Sequence, residues 1–252
     1  MGMSAQEHAR AWQQRSGVVA SLLARRAGLS TSTLHRVLSG HVDPQIGTLR
    51  EIALACGLEL DLAVRPASNP MAAIAARSML EDGFEVPRDA LSNLAVWTDR
   101  VTRFAGNSDP VRLVEAAAVM SAPVRRPGAV LYSGATKVGR VASSGDASGG
   151  RWALSGAVGL NLASMGDALP VTSILWCEDA RAVSNLLADS TLRRTERPER
   201  ASLAVVEGEA ELFYGSFTKD RIHYVAPIQI MIDCLSLGGP VADQARAEVS
   251  TW

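Results

Sequence analysis

The chain has 252 residues, 47% hydrophobic and 20% charged, a balance that excludes intrinsic disorder and predicts one or two domains, each with its own core. It has no run of 18 or more apolar residues, which excludes a transmembrane helix, and its first residues lack the apolar stretch of a secretory signal, so a cytoplasmic protein is expected. Lysine and arginine number 25 against 26 aspartates and glutamates, and the three cysteines, Cys56, Cys177 and Cys234, are spaced too widely for a disulfide framework or a zinc ribbon.

In chain order, residues 5–66 read as several short helices with tight connections, ending where Pro66 and Pro70 flank small polar residues. Residues 71–121 read as helical, broken by Pro87 and by Gly106-Asn107-Ser108-Asp109, with Asp109-Pro110 as a cap and start. From Pro127 the texture changes to Gly- and Ser-rich stretches, such as Ser143-Ser144-Gly145-Asp146, alternating with short apolar runs. Strands are predicted at Val171–Trp176, Ser202–Val206, Leu212–Phe217 and Ile222–Val225, and helices at Arg151–Ala163 and Ala180–Ala188. The expected class is α+β. It comprises an all-α domain over 1–66, a helical linker region over 67–126 and a mixed α/β domain over 127–252.

The near-neutral sum of charges conceals an asymmetry. Residues 8–50 carry six arginines against one acid, Asp43, a local charge of +5. Residues 67–252 carry 18 basic and 21 acidic side chains, a net −3. A basic segment on an acidic body points to a nucleic-acid-binding end.

Within that segment, Leu23 and Ala27 share one face of a first helix, Ala24 is small enough for a close crossing, and Gly28 supplies a C-terminal cap. Leu29 plugs the turn, and Ser30 or Thr31 caps a second helix whose inward positions are Leu34, Val37 and Leu38. A later helix, Thr48 to Cys56, offers Leu49, Ile52 and Ala53 as a cover. An ordinary helical hairpin shares this spacing, but the combination, with Leu38-Ser39-Gly40 at its exit, resembles the Xre/Cro-like repressor family. The resemblance implies that the second helix enters the major groove of DNA, with Thr31, Ser32, Thr33, His35 and Arg36 facing outward. There Arg36 suits a guanine edge and Thr33 a thymine methyl or a phosphate, while Ser30 to Ser32 lie at the helix's positive end. Arg25 and His41 are expected at the phosphate backbone, and a homodimer on a two-fold site is expected from the size of one module.

Two enzymatic readings are weaker. Leu154-Ser155-Gly156 resembles the entry of a nucleotidyltransferase, and a degenerate form of that fold is one expectation for the body. The acids that must hold magnesium, Glu178 and Asp179, fall as neighbours and so point to opposite faces of a strand. Ser133 and Lys137 have the residue types of a Ser/Lys protease dyad, but they read as part of a Gly-containing loop. His223 has no partner at ligand spacing, and no Gly-Lys-Ser/Thr follows the glycines of 143–150, so no metal, cofactor or enzymatic activity is expected.

Arg151-Trp152-Ala153-Leu154-Ser155-Gly156 together with Ala226-Pro227-Ile228-Gln229 and Asp233 resembles the AbiEi family, the antitoxins and autorepressors of type IV toxin–antitoxin systems. The family pattern is a Ser-Gly segment, a strand, and a later Pro-x-Gln-x-x-x-Asp helix; Cys234 stands here where Leu is common. AbiEi proteins usually begin with a winged helix rather than an Xre-like domain. The resemblance implies a repressor and antitoxin with a cognate toxin as partner, and it leaves two roles open for Pro227, Gln229 and Asp233: partner contact, or a capped structural helix with a buried polar bond. A small-molecule effector sensed by the body is the alternative to a toxin.

Overall fold

Residue chemistry sets the helix ends of the first unit. Ser4 and Glu7 form a reciprocal capping box that starts α1 (Ala5–Ser16). The helix α2 (Ala20–Arg26) leads into Gly28, whose φ of 65° turns the chain back in a conformation that a β-carbon would strain. Ser30 then caps α3 (Thr31–Leu38), its hydroxyl accepting from the backbone N–H of Thr33 at 3.0 Å. The cover helix α4 (Ile46–Ala55) begins two residues before the expected Thr48. Ala9, Leu23, Ala24, Ala27, Leu34, Val37 and Ile52 are buried together, with Leu29, Leu38 and Leu49 packed at the margin. Full burial of each large apolar side chain contributes about 1.5–3 kcal/mol, so truncating Leu34 at this crossing would remove much of the unit's stability.

The structure, a computed structural model, describes residues 3–86, 91–160, 172–188 and 190–252. Pro87, the start of the strand expected from Val171, and residues 161–163 of the expected helix at 151–163 lie outside the described residues. The chain divides into Met1–Arg65 and Pro66–Trp252.

In the second unit, Asn69 caps α5 (Pro70–Leu80), and α6 (Leu91–Ala105) and α7 (Pro110–Ser121) follow, the last capped by Asp109 as its sequence indicates. Every residue from Met71 to Arg77 is buried, which is how a helix apolar on all sides must sit. The three helices over 67–126 share one hydrophobic core with the sheet, so this stretch is an integral part of the body.

The sheet is built from β1 (Val130–Ser133), β2 (Trp152–Gly156), β3 (Ser173–Cys177), β4 (Arg193–Thr195), β5 (Leu203–Glu207), β6 (Phe217–Lys219) and β7 (Ile222–Tyr224), in the order β4-β1-β5-β3-β2-β7-β6. Its pairing is mixed. The strand β2 runs antiparallel to β3 and parallel to β7, and β3 runs parallel to β5. The helix α8 (Val138–Ala147) packs with α10 (Ala180–Leu186) and against β2 and β3. Packed against β2 is also α11 (Pro227–Leu237), which joins α7, α5, the single helical turn α9 (Ala157–Leu160) and α12 (Gly239–Val249).

Two local expectations are corrected. Trp152–Gly156, expected as helix, is a central strand buried at every residue. A strand covered on both faces has no polar alternation to reveal it, and its Ala and Leu favour helix when read alone. Leu212–Phe217, expected as strand, is instead a short 3-10 turn over Ala210–Phe213, with Phe217 opening β6. The Ser- and Gly-rich stretch at 143–146 lies within α8, where Gly145 meets the Trp152 indole so closely that a β-carbon there would lie 2.4 Å from the ring.

Candidate nucleic-acid interface

The helix α3 presents two faces. Leu34 and Val37 are buried, whereas Thr31, Ser32, Thr33, His35 and Arg36 are all exposed. The spacing that hides the two apolar residues forces the others outward in one row. The row's polar atoms are partly committed. Ser30 Oγ, besides capping, lies 3.0 Å from Ser32 Oγ and 2.8 Å from Thr33 Oγ1, so Ser30 and Thr33 chiefly order the helix start. His35 and Arg36 extend from the helix's last turn without such local bonds among the described residues.

The far end of α3 is clamped by α1. Arg10 Nε donates to the carbonyl of Leu38, one of the last carbonyls of α3, which the helix itself cannot satisfy. Arg10 therefore contributes to the local positive charge while serving as a brace. His41 Nδ1 lies 2.6 Å from Ser39 Oγ in the exit turn, and Arg25 and Arg26 are exposed in the last turn of α2.

In the body, the residues that carry the antitoxin-like pattern come together in the interior. Asp233, on α11, accepts hydrogen bonds from Ser155 Oγ on β2 at 2.6 Å, from Trp176 Nε1 on β3 at 2.8 Å and from Gln229 Nε2 at 2.8 Å. Burial pushes the Asp233 carboxyl above its ordinary range, while the three hydrogen bonds and the nearby Arg126 charge pull it back. Arg126 stacks over the Trp176 ring at 4.8 Å and donates to the Glu207 carbonyl. Gln229 and Asp233 are 2% and 1% exposed, so their side chains are closed to a partner; Pro227 is exposed at the first turn of α11.

The remaining candidates take local structural posts. Glu178 accepts from the backbone and side chain of Arg151, and Asp179 caps α10 by accepting from the Ala182 N–H at 2.8 Å. Ser133 ends β1 rather than sitting in a loop, and its hydroxyl donates to the Arg193 carbonyl. His223, on β7, packs edge-on to Trp152. Among the described residues no group of three or more His, Cys, Asp or Glu is placed to hold a metal ion.

Sequence reasoning passed over Arg77. It is fully buried in α5, paired with Glu81 one turn on, stacked on Phe84, and donates to the carbonyls of Leu212 and Tyr214. A lone arginine inside an apolar helix with a carboxylate at i+4 is the signal that marks it.

A family profile described as helix-turn-helix matches residues 20–62, which span α2, α3 and α4. That stretch is an Xre/Cro-like helix-turn-helix domain, and the chain is accordingly a DNA-binding regulator of transcription. Searches of curated proteins and of solved structures find no match to the chain. No helix among the described residues is long and apolar enough to cross a membrane.

Proposed function

We propose that this protein is a non-enzymatic, sequence-specific repressor that acts in the cytoplasm as a homodimer and is the antitoxin and autorepressor of a toxin–antitoxin or phage-defence operon. The observation that carries the DNA-reading part is the exposed row of α3, with His35 and Arg36 projecting from a helix braced at both ends. Arg36 has the length and the paired donors to read a guanine edge in the major groove, and Thr31 and Ser32 sit where helix N–H groups favour a phosphate. The antitoxin part is supported by the Ser155, Gln229 and Asp233 pattern, which the fold gathers around one carboxylate.

The test is fluorescence anisotropy with DNA from the protein's own promoter against a scrambled duplex, for wild type and Arg36→Ala. Tight, sequence-dependent binding that Arg36→Ala weakens is expected; equal binding of both duplexes by both proteins overturns the reading. Toxicity of the adjacent reading frame, relieved by co-expression of this chain, tests the antitoxin part.

A second reading, a ligand-sensing one-component regulator, is favoured by one observation. An open groove of about 450 Å³ lies against Arg151, Trp152, Phe213 and His223, with Asp146 and the Gly149-Gly150 backbone on its rim. Arg151 stacks over Phe213 there, so the groove offers aromatic surface beside charge, as a planar polar effector requires. Melting-temperature shifts across a panel of metabolites separate this reading from a protein partner.

A further inference from the structure

Gln229 is buried, and only half of its amide is bound. Its Nε2 donates to Asp233 at 2.8 Å, while its Oε1 is buried without a hydrogen-bond partner in the protein. The amide cannot turn over to repair this, because its carbonyl oxygen would then face a carboxylate. Arg126 has the complementary defect. Its Nη1 donates to the Glu207 carbonyl, but its Nε is buried and unmatched. Buried polar atoms in this state cost folding energy, so each calls for a partner. Both side chains line one cavity, with Ala73 and Ile74 of α5, Ser121 at the end of α7, and Glu209. The space among them, about 10 Å³ open to the centre of a water molecule, admits one such molecule and no second.

We propose that this cavity is a built site for a single internal water, which accepts from Arg126 Nε–H and donates to Gln229 Oε1. The two unmatched atoms dictate the ligand, which must accept on one side and donate on the other. A hydrocarbon group does neither. A cation is repelled by the guanidinium, and an anion suits Arg126 but has no hydrogen to give Gln229. Size then leaves water. Its second hydrogen finds acceptors on the wall: the Glu209 carboxylate, and Ser121 Oγ, which spends its own hydrogen on the Ala117 carbonyl at 2.7 Å. Three hydrogen bonds are the usual complement of an internal water. The bridge turns the Asp233 cluster into a longer chain with one direction. Arg126 donates to the water, the water to Gln229, and Gln229 to Asp233, so a cation and a carboxylate polarise the bonds between them. The Gln of the Pro-x-Gln-x-x-x-Asp helix thus orders solvent with one end and the acid with the other. The inference concerns the body alone, and it holds or fails apart from DNA reading and from any toxin.

Two measurements on the full chain test it. In a high-resolution crystal structure, one water oxygen is expected within about 3.2 Å of both Arg126 Nε and Gln229 Oε1. An empty cavity, or a density peak that touches only one of the two atoms, overturns the proposal. In solution, with isotopically labelled arginine, the Arg126 Nε–H is expected to show a nuclear Overhauser effect to water, with the sign of a molecule resident for longer than a nanosecond. Arg126→Lys identifies that resonance by deleting it. The effect should survive Ser121→Ala, which removes the nearby hydroxyl whose exchange with solvent could carry the same signal. It should vanish in Gln229→Met, which keeps the length of the side chain but offers no amide oxygen. No effect in wild type, its loss in Ser121→Ala, or its persistence in Gln229→Met overturns the proposal. Should Gln229→Met not fold, the wild-type crystal structure and Ser121→Ala decide.

Discussion

Ser155 and Asp233, 78 residues apart in the chain, meet at 2.6 Å in the interior of the body, and the serine hydroxyl donates to the carboxylate. Trp176 and Gln229 donate to the same group, so three elements of the fold converge on one acid.

This acid has a titration signature of unusual sign. Burial raises its folded-state pKa above the unfolded value of 3.8, so between those two values the native state holds a proton that the unfolded state has released. Stability from this group is therefore greatest below 3.8 and falls as pH rises through the folded pKa. Asp233→Asn carries no such proton. Urea midpoints across acidic pH should show a decline with rising pH in wild type relative to Asp233→Asn; parallel curves would sink the assignment.

Arg36 and Arg25 should separate base reading from backbone attraction. Arg36→Ala is expected to cost about 1–3 kcal/mol and to relax preference at one base pair. Arg25→Ala should weaken all sequences evenly and reduce the salt slope by about one. Binding isotherms at several salt concentrations, with single-base operator variants, check both; identical profiles for the two would contradict the division.

Arg77→Ala removes the partner of Glu81 and leaves the carbonyls of Leu212 and Tyr214 without a donor. Breaking a buried ion pair on one side costs about 3–5 kcal/mol, so the body should melt well below wild type while the helix-turn-helix unit is unaffected. A loss under about 1 kcal/mol would show that the surroundings re-pair those groups.

The three thiols should differ in reactivity. Burial, with Asp179 and Glu207 nearby, pushes Cys177 up to about 12, and burial beside Asp233 pushes Cys234 higher still. Cys56 is only half-buried. Native protein should take up one equivalent of a thiol reagent quickly and the other two only after unfolding; three fast equivalents would contradict the packing.

The helix-turn-helix was legible because its determinants are local. Gly28, Ser30, Leu34 and Val37 act within a turn or two of themselves, so their spacing carries the geometry. The body was less so. Trp152–Gly156 is a strand because of what covers it on both faces, and those neighbours come from residues 138–147 and 227–237. Gln229 and Asp233 were singled out on pattern alone; only the sheet reveals that Ser155 and Trp176 face them. Arg77 has a local partner in Glu81, but the carbonyls that hold it in the interior lie more than 130 residues away.

The carboxylate of Asp233 also sets an order of events during synthesis. The DNA-binding unit, Met1–Arg65, has a hydrophobic core of its own, so it can fold as soon as it leaves the ribosome. The strands holding Ser155 and Trp176 are made early but carry hydroxyl and indole donors that have no acceptor until α11 emerges. The reading head is thus complete on a nascent chain whose body is still open until α11 brings the acceptor for both donors.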